Sequence, residues 1–240
     1  MKSQLDSIFK FLKKNREFNL QIQSQFFLPV LCVEESINPK VINLLYHVAN
    51  TQSQPKMDPL AAFYKLVHEN IDSISSFKSF VHLLTGKESL HFNDLYEGLS
   101  QQAGWGDKTA ALFAKVVYQA HNSLGSKFEF WSDTPNHITD SDELWLPVDA
   151  VIIHIFEKLG MAKPNFTKIN KLLKQYYVGD DLEVWDDLWF WGFITQKGTG
   201  TTRSIEWNEN KYWSLTHSDK EPVMVNRIKN NSHEFIGLLT

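Results

Sequence analysis

The stretch from Leu95 to Phe113, LYEGLSQQAGWGDKTAALF, holds two closely spaced glycines and, shortly after them, a lysine. Its pattern predicts a helix that ends, a turn at Gly104 and Gly106, and a second helix that begins near Lys108. Glycine is needed where the backbone adopts positive φ or where a ligand approaches the main chain closely. The first N–H groups of a helix have no partner within that helix and attract anions, so the turn predicts a phosphate site.

Lys108 stands in the first turn of this second helix, where the helix dipole disfavours a positive charge. Such a position lowers the proton affinity of an amine, and a neutral amine can act as a nucleophile. The same spacing is also typical of an ordinary turn between two helices, with the glycines serving only as caps. The sequence leaves both interpretations open.

A second stretch, LWLPVDAVIIHIFEKLG, places Asp149 just after Pro147 and Val148, at the start of a strongly apolar helix. An aspartate in this position predicts an N-cap, which is a sufficient structural explanation. A partly buried carboxylate that faces a cleft would instead be a candidate for proton transfer.

Together the two stretches resemble the helix-hairpin-helix DNA glycosylases, the superfamily of endonuclease III and the 8-oxoguanine glycosylases. There the hairpin follows the pattern hydrophobic-G-hydrophobic-G-x-K-T/V-A, and a V-D pair opens a later helix that ends in R/K-L-G. The matching residues are Gly104, Trp105, Gly106, Lys108, Thr109 and Ala110, then Val148, Asp149, Lys158, Leu159 and Gly160. The run Phe113, Ala114, Lys115 and the segment DLWFWG at 187–192 are most similar to the archaeal 8-oxoguanine glycosylase branch.

The resemblance covers roughly residues 75–195 and implies a base-excision glycosylase with AP-lyase activity, both hydrolase and lyase, that removes an oxidised purine such as 8-oxoguanine. It implies that Lys108 forms a Schiff base, that Asp149 is the second catalytic residue, and that the reaction needs no cofactor and no metal ligand set. A monovalent cation could bind the hairpin carbonyls. The DNA-binding residues that it implies are Gly104, Trp105, Gly106 and Thr109. The partner would be damaged double-stranded DNA, bound by a monomer.

This sequence departs from the family pattern in several places. The interval between Lys108 and Asp149 is long, so residues 122–147 would be an insertion. Val151 and His154 replace a common histidine and a common arginine. Two further functions therefore stay open: a non-catalytic helix-hairpin-helix module that binds DNA or a protein, and an enzyme that acts on free nucleosides. Residues 161–179 hold four lysines, and Asp180 is the first acid after them, so this strip is a candidate DNA-facing surface.

The composition is that of an ordinary globular protein: 240 residues, 42% hydrophobic and 22% charged. The net charge of −4 predicts no global field that attracts nucleic acid or anionic membrane, although a local basic face is compatible with it. A single cysteine, Cys32, excludes an internal disulfide and a cysteine-ligated iron–sulfur cluster. The longest apolar window, FFLPVLCV, is too short to span a bilayer, and we expect a cytoplasmic protein without membrane or targeting segments.

Apolar residues at helical spacing predict a mostly α fold. The resemblance implies two helical subdomains around a cleft within residues 1–195, with the hairpin near 95–121 and the Asp149 helix at 148–160. We expect Asp58 to cap one helix and Asn93 or Asp94 another. Residues 196–240 would form a C-terminal extension with a helix and a small β-hairpin. Its predicted strands are SIEW (204–207) and KYWSL (211–215), joined by an Asn-rich turn.

Overall fold

The computed structural model describes residues 1–52 and 54–239, and it is mostly helical, as the sequence predicts. Two short antiparallel strands near the C-terminus, β1 (Gln196–Lys197) and β2 (Ser204–Ile205), confirm the small hairpin. The helices in chain order are α1 (Lys2–Lys14), α2 (Arg16–Leu31), α3 (Ile37–Ala49), α4 (Met57–Glu69), α5 (Phe77–Thr85), α6 (Phe92–Ser100), α7 (Asp107–Asn122), α8 (Ala150–Lys158), α9 (Phe166–Lys174), α10 (Asp181–Val184), α11 (Asp187–Ile194), α12 (Glu209–Ser214) and α13 (Pro222–Leu238).

The chain divides into two compact units, each built from segments that are distant in sequence. The first unit contains residues 1–23, 148–177 and 183–240, and the second contains residues 24–147 and 178–182. The predicted hairpin helices, α6 and α7, belong to the second unit. The Asp149 helix, α8, belongs to the first unit together with both strands.

In the second unit, α7 is buried along most of its length because apolar or small residues occupy nearly every face of the helix. α6 packs along α7, and the rings of Phe92 and Tyr118 meet edge to face with their centroids 5.5 Å apart. Phe80 of α5 lies 6.1 Å from Phe113, centroid to centroid. These aromatic contacts hold the two hairpin helices in a fixed position within the unit.

Two aspartates tie the polar segment that follows α7 to the rest of the second unit: Asp133 lies within the segment and Asp180 outside it. Asp133 accepts hydrogen bonds from the backbone N–H groups of Phe77 (2.8 Å) and Lys78 (3.0 Å), at the start of α5. Asp180 accepts from the N–H of Ile138 (2.9 Å) and the hydroxyl of Tyr118 (2.7 Å). The segment therefore has a fixed path, although its only helical stretch is a short 3-10 turn at Ser126–Phe128.

In the first unit, α8 and α11 approach each other closely at Gly192. A Cβ atom at this position would lie 2.6 Å from the Cδ1 of Ile155 and 2.7 Å from a Cγ of Val151, so only glycine allows this crossing. The ring of Phe11 from α1 contacts Trp191 on α11, with the centroids 4.9 Å apart. The sequence pattern of apolar residues on α1 is thus explained by a core that it shares with α11.

A buried ionic cluster lies beside this core. Asp187 is fully buried and accepts a hydrogen bond of 2.6 Å from the side-chain amide of Asn19. The guanidinium of Arg16 forms an ion pair with Glu183, and its Nε lies 3.7 Å from Asp187. Burial, reinforced by the charge of Glu183, raises the pKa of Asp187 well above its usual value despite the nearby arginine.

The positions of two predicted caps and one predicted strand are wrong. α4 begins at Met57, with Lys56 as the N-cap residue, so Asp58 lies inside the helix. α6 begins at Phe92, which excludes both Asn93 and Asp94 as its N-cap. Residues 211–214 are helical because Asn208 caps α12 and accepts a hydrogen bond of 3.1 Å from the N–H of Lys211. A side-chain cap of this kind starts a helix where alternation alone predicts a strand.

Candidate functional site

The turn between α6 and α7 places Gly104 where only glycine fits. Its φ is +84°, a left-handed conformation that favours glycine. A Cβ atom here would lie 2.7 Å from the Cγ of Leu60 and 2.8 Å from its backbone nitrogen, so the turn contacts the first turn of α4 directly. The carbonyl oxygen of Gly104 also accepts a hydrogen bond of 3.2 Å from the amide of Gln52. Gly104 therefore has a structural role in the second unit, and a cation at this carbonyl would compete with Gln52.

Gly106 differs from Gly104 in conformation and in surroundings. It is the N-cap residue of α7 with a φ of −128°, so it lacks the positive φ of Gly104. A Cβ atom built there meets nothing within 4 Å. Gly106 is exposed, and its backbone opens directly onto the N-terminus of α7.

The N-terminus of α7 carries Asp107 and Lys108 and has no side-chain cap. The carboxylate of Asp107 forms a hydrogen bond with the hydroxyl of Tyr96, which belongs to α6. Burial and this carboxylate together raise the pKa of Tyr96. Lys108 is exposed in the first helical turn, as the sequence predicts. The backbone N–H groups of this turn are therefore open to an anion, with an amine beside them.

The other two hairpin residues are buried. Trp105 is 6% exposed and lies edge to face against Phe63 of α4, with the centroids 5.3 Å apart. It also packs against Phe113 of α7 at 6.0 Å. Thr109 is 5% exposed. Trp105 thus packs α4 against α7, Thr109 is enclosed, and among residues 104–109 the exposed ones are Gly106, Asp107 and Lys108.

Asp149 caps α8 in the first unit. Its Oδ1 accepts hydrogen bonds from the N–H groups of Val151 (2.8 Å) and Ile152 (3.0 Å). The expected N-cap is confirmed. Within the described part of the chain, Oδ2 of Asp149 accepts no hydrogen bond, and the side chain is half-buried. One oxygen therefore serves the helix and the other is available for a proton or for a developing positive charge.

The residues that replace the common family residues on α8 have structural roles. Val151 is buried against the α11 crossing. The imidazole Nδ1 of His154 lies 3.3 Å from the carboxylate of Glu157, and its Nε2 is buried without a hydrogen bond within the described residues. Asp149 therefore has no imidazole from α8 as a partner.

Two basic residues near Asp149 are not predicted by the sequence motifs. Arg203, next to β2, and Lys211, on α12, lie in the first unit with Asp149, and the charges of Asp149 and Arg203 both act on Lys211. Both residues belong to the C-terminal extension, for which the resemblance predicts nothing. No motif or spacing in the sequence marks either residue.

The lysine-rich strip lies largely on α9 and the turn before it. Lys168 and Lys171 are exposed, and the ammonium of Lys168 donates hydrogen bonds to the carbonyls of Ala162 (3.2 Å) and Lys163 (3.1 Å). The end of this segment packs on α1, where the Tyr177 hydroxyl donates to Asp6 at 2.9 Å. The ammonium of Lys2 lies 5.4 Å from the centre of the Tyr176 ring, just after α9, so α1 adds a lysine next to the end of this segment.

Comparison with family models, with curated proteins and with solved structures finds no match to this chain. None of the helices in residues 1–52 and 54–239 combines the length and apolar character needed to cross a membrane. In the same residues, no three His, Cys, Asp or Glu side chains cluster as metal ligands would. Lys108 belongs to the second unit and Asp149 to the first, and each is placed by the local contacts of its own unit.

Proposed function

We propose that this protein is a DNA base-excision glycosylase with AP-lyase activity that acts as a monomer on damaged double-stranded DNA. Its substrate would be an oxidised purine such as 8-oxoguanine. The observation that carries the proposal is the uncapped N-terminus of α7, where Gly106 is open to a ligand and Lys108 is exposed in the first turn. A backbone phosphate bound at these N–H groups would bring a deoxyribose near the amine.

The reaction would begin with the damaged base turned out of the duplex stack. The neutral amine of Lys108 attacks the anomeric carbon of the sugar. The bond from this carbon to the base breaks, and the base leaves with the electron pair and takes up a proton. In this proposal Asp149 is the acceptor for the proton that the lysine nitrogen loses, and its charge stabilises positive charge on the sugar.

The lyase step follows from the covalent intermediate. When the sugar ring opens, the lysine nitrogen and the former anomeric carbon form a Schiff base. Loss of a proton from the neighbouring carbon then expels the 3′ phosphate and breaks the strand. The available Oδ2 of Asp149 supports its role as the proton acceptor, because Oδ1 can remain bound to the N–H groups of α8 throughout.

The lysines of the first unit support DNA as the partner. Lys163, Lys168 and Lys171 are exposed, and residues 161–179 contain no acid to neutralise them. Each lysine that contacts a phosphate releases a bound counterion, so binding to duplex DNA would weaken steeply with salt. This local basic surface offsets the net charge of −4 for the chain as a whole.

A borohydride-trapping assay tests the proposal. The protein is incubated with duplexes that each carry one oxidised purine, and a reductant is added to convert any Schiff base into a stable link. We expect a covalent protein–DNA product with at least one lesion and none with undamaged DNA. If no lesion in a broad panel yields a linked product, the glycosylase proposal is wrong.

The second candidate is a non-catalytic helix-hairpin-helix module. The cap at Asp149 favours this second function, because the two hydrogen bonds that Asp149 accepts from α8 account for an aspartate at this position without a catalytic role. Such a module would bind duplex DNA with the same dependence on salt but would never become covalently linked to it. Binding without trapping would therefore select this function.

A further inference from the structure

The C-terminal extension is fastened to the first turn of α8 by a chain of side-chain hydrogen bonds. Gln196, fully buried in β1, donates from its amide nitrogen to the carbonyl oxygen of Val151 at 3.0 Å. The amide oxygen of Gln196 accepts from Nη1 of Arg203 at 2.7 Å. Because Val151 also donates its N–H to Asp149, Arg203 is linked through Gln196 to the helical turn that Asp149 caps.

α12 is fixed to the same strand. The side-chain amide of Asn208 donates to the carbonyl of Gln196 at 3.1 Å, and its oxygen caps α12. This arrangement brings the ammonium of Lys211 to 4.9 Å from the centre of the Phe193 ring, on α11. A cation above an aromatic face is held in place without the loss of its charge. The position of Lys211 is therefore set by α11 and by β1, and that of Arg203 by β1.

Arg203 and Lys211 are like charges held near one another. Neither forms a salt bridge with any carboxylate in the described part of the chain, and both side chains are half-buried. The pKa of Lys211 is lowered, first by burial and then by the charge of Arg203, and Asp149 opposes this only in part. Two cations placed together destabilise each other; Asp149 offsets only part of this cost, and a bound anion would remove more of it.

The geometry of Arg203 suits a phosphate. Only one of its donors is used by Gln196, which leaves the rest of the planar guanidinium to bind two oxygens of one anion. The loop before Arg203 turns sharply at Gly198, where φ is +79° and a Cβ atom would lie 2.8 Å from the carbonyl oxygen of Thr202. The turn is therefore compact, and it brings Arg203 back beside Gln196.

We propose that Arg203 and Lys211 form a binding site for one phosphate group in the part of the first unit that carries Asp149, and that its ligand is a phosphodiester of the DNA strand under repair. The choice of DNA over a free phosphate compound rests on the proposed function. In this role the C-terminal extension supplies a phosphate contact for the strand on which Asp149 acts. It would orient the nucleotide and would not take part in bond breaking.

The test measures duplex affinity in variants that lose one charge each. The probe is a duplex with a tetrahydrofuran abasic analogue, which binds but cannot form a Schiff base. Lys211→Gln and Arg203→Gln should each weaken binding at low salt by about tenfold and reduce the slope of log affinity against log salt by about one. The matched control is Lys229→Gln, an exposed lysine of α13 in the same unit, which should change neither quantity. Lys211→Gln is the safer variant for folding, since its ammonium makes no hydrogen bond in the described residues.

A second arm uses inorganic phosphate and distinguishes the two possible sources of the ligand. Phosphate should raise the pKa of Lys211, followed by NMR at its Cε, and leave that of Lys229 unchanged. If wild-type protein is trapped on lesion DNA but Lys211→Gln and Lys229→Gln bind the duplex equally, this site is wrong and the proposed function stands. If phosphate shifts Lys211 but no lesion duplex binds, the proposed function is wrong and the ligand is a free phosphate compound. No response of Lys211 to either probe overturns the site.

Discussion

The carboxylate of Asp142 accepts a hydrogen bond of 2.8 Å from the backbone N–H of Phe92, fifty residues earlier in the chain. Its other oxygen accepts from the N–H of Asn93 at 2.9 Å. Asp142, in the long polar segment after α7, thus caps α6, the first hairpin helix. Asp133, in the same segment, accepts hydrogen bonds from the first N–H groups of α5. The segment 122–147, which the resemblance treats as an insertion, therefore stabilises the first helix of the hairpin.

Replacing Asp142 with alanine should destabilise the second unit, because two N–H groups at the buried start of α6 would lose their acceptor. We expect a loss of about 1–2 kcal/mol in the free energy of unfolding, measured by urea denaturation. The matched control is Asp140→Ala, two residues away in the same segment and exposed, which should change stability little. Equal stability of the two variants would show that the cap at α6 contributes nothing.

The helices of the hairpin could be predicted from the sequence because their signals are local. The apolar spacing of Phe113, Val116 and Val117 and the glycines before them mark the start of α7 within one or two residues. The cap of α6 could not be predicted in this way. Asn93 and Asp94 are adjacent candidates of the right type, but Asp142 reaches the helix only through the tertiary fold.

Gly104 and Gly106 should respond differently to substitution. Gly104→Ala forces a side chain into a left-handed conformation and against Leu60, so we expect it to cost about 2–4 kcal/mol of stability. Gly106→Val occupies open space at an extended φ and should cost less than about 1 kcal/mol.

DNA affinity provides the second measurement for Gly106. Because its backbone opens onto the N-terminus of α7, the valine side chain would obstruct a phosphate there and weaken duplex binding while the protein stays folded. Thermal melts and binding curves of the same preparations separate these effects. Unchanged duplex affinity in a folded Gly106→Val protein would exclude the hairpin as the phosphate site.

His121 should make the second unit sensitive to mild acid. Its Nε2 accepts from the N–H groups of Phe130 and Trp131 at 3.4 Å each, and burial lowers its pKa to about 4. A histidine with a lowered folded pKa binds its proton more readily in the unfolded chain. Stability is therefore full above pH 6.5 and is lost as the pH falls from about 6.5 to 4, by up to about 3 kcal/mol.

The contribution of His121 can be isolated with a variant. His121→Gln has no charge to gain, so its free energy of unfolding should fall less than that of wild type over this range. His47, whose pKa burial also lowers, adds to the slope in both proteins and cancels in the comparison. His233→Gln, at an exposed position of α13, is the control and should follow wild type. Parallel curves for all three proteins would rule out the assigned role of His121.

The candidate site was only partly predictable for a similar reason. Lys108 and Asp149 each stand at a helix start that local sequence determines, and both are found there. Arg203 and Lys211 reach the α8 end of the first unit through Gln196 and Asn208, whose hydrogen bonds join segments far apart in sequence. No spacing rule links these residues to Asp149.

Lys108→Gln should abolish borohydride trapping, because an amide nitrogen cannot form a Schiff base. The side chain is exposed, so the fold and most of the affinity for a lesion duplex should remain. Lys40→Gln, at a half-exposed lysine of the second unit, is the control and should trap like wild type. Trapping of Lys108→Gln at the wild-type rate would show that Lys108 is only a lysine at the start of a helix and that the nucleophile is another amine.

Asp149→Asn separates the chemistry of this residue from its role as a cap. Asparagine caps helices about as well as aspartate, so its side-chain oxygen should keep the hydrogen bonds to Val151 and Ile152 and stability should change by less than about 0.5 kcal/mol. The amide accepts no proton and carries no charge, so single-turnover excision should slow by about 100-fold or more. Asp149→Ala adds the loss of the cap and should cost about 1 kcal/mol in addition. If Asp149→Asn excises at the wild-type rate while Asp149→Ala is merely less stable, Asp149 is a structural residue and the proton acceptor lies elsewhere.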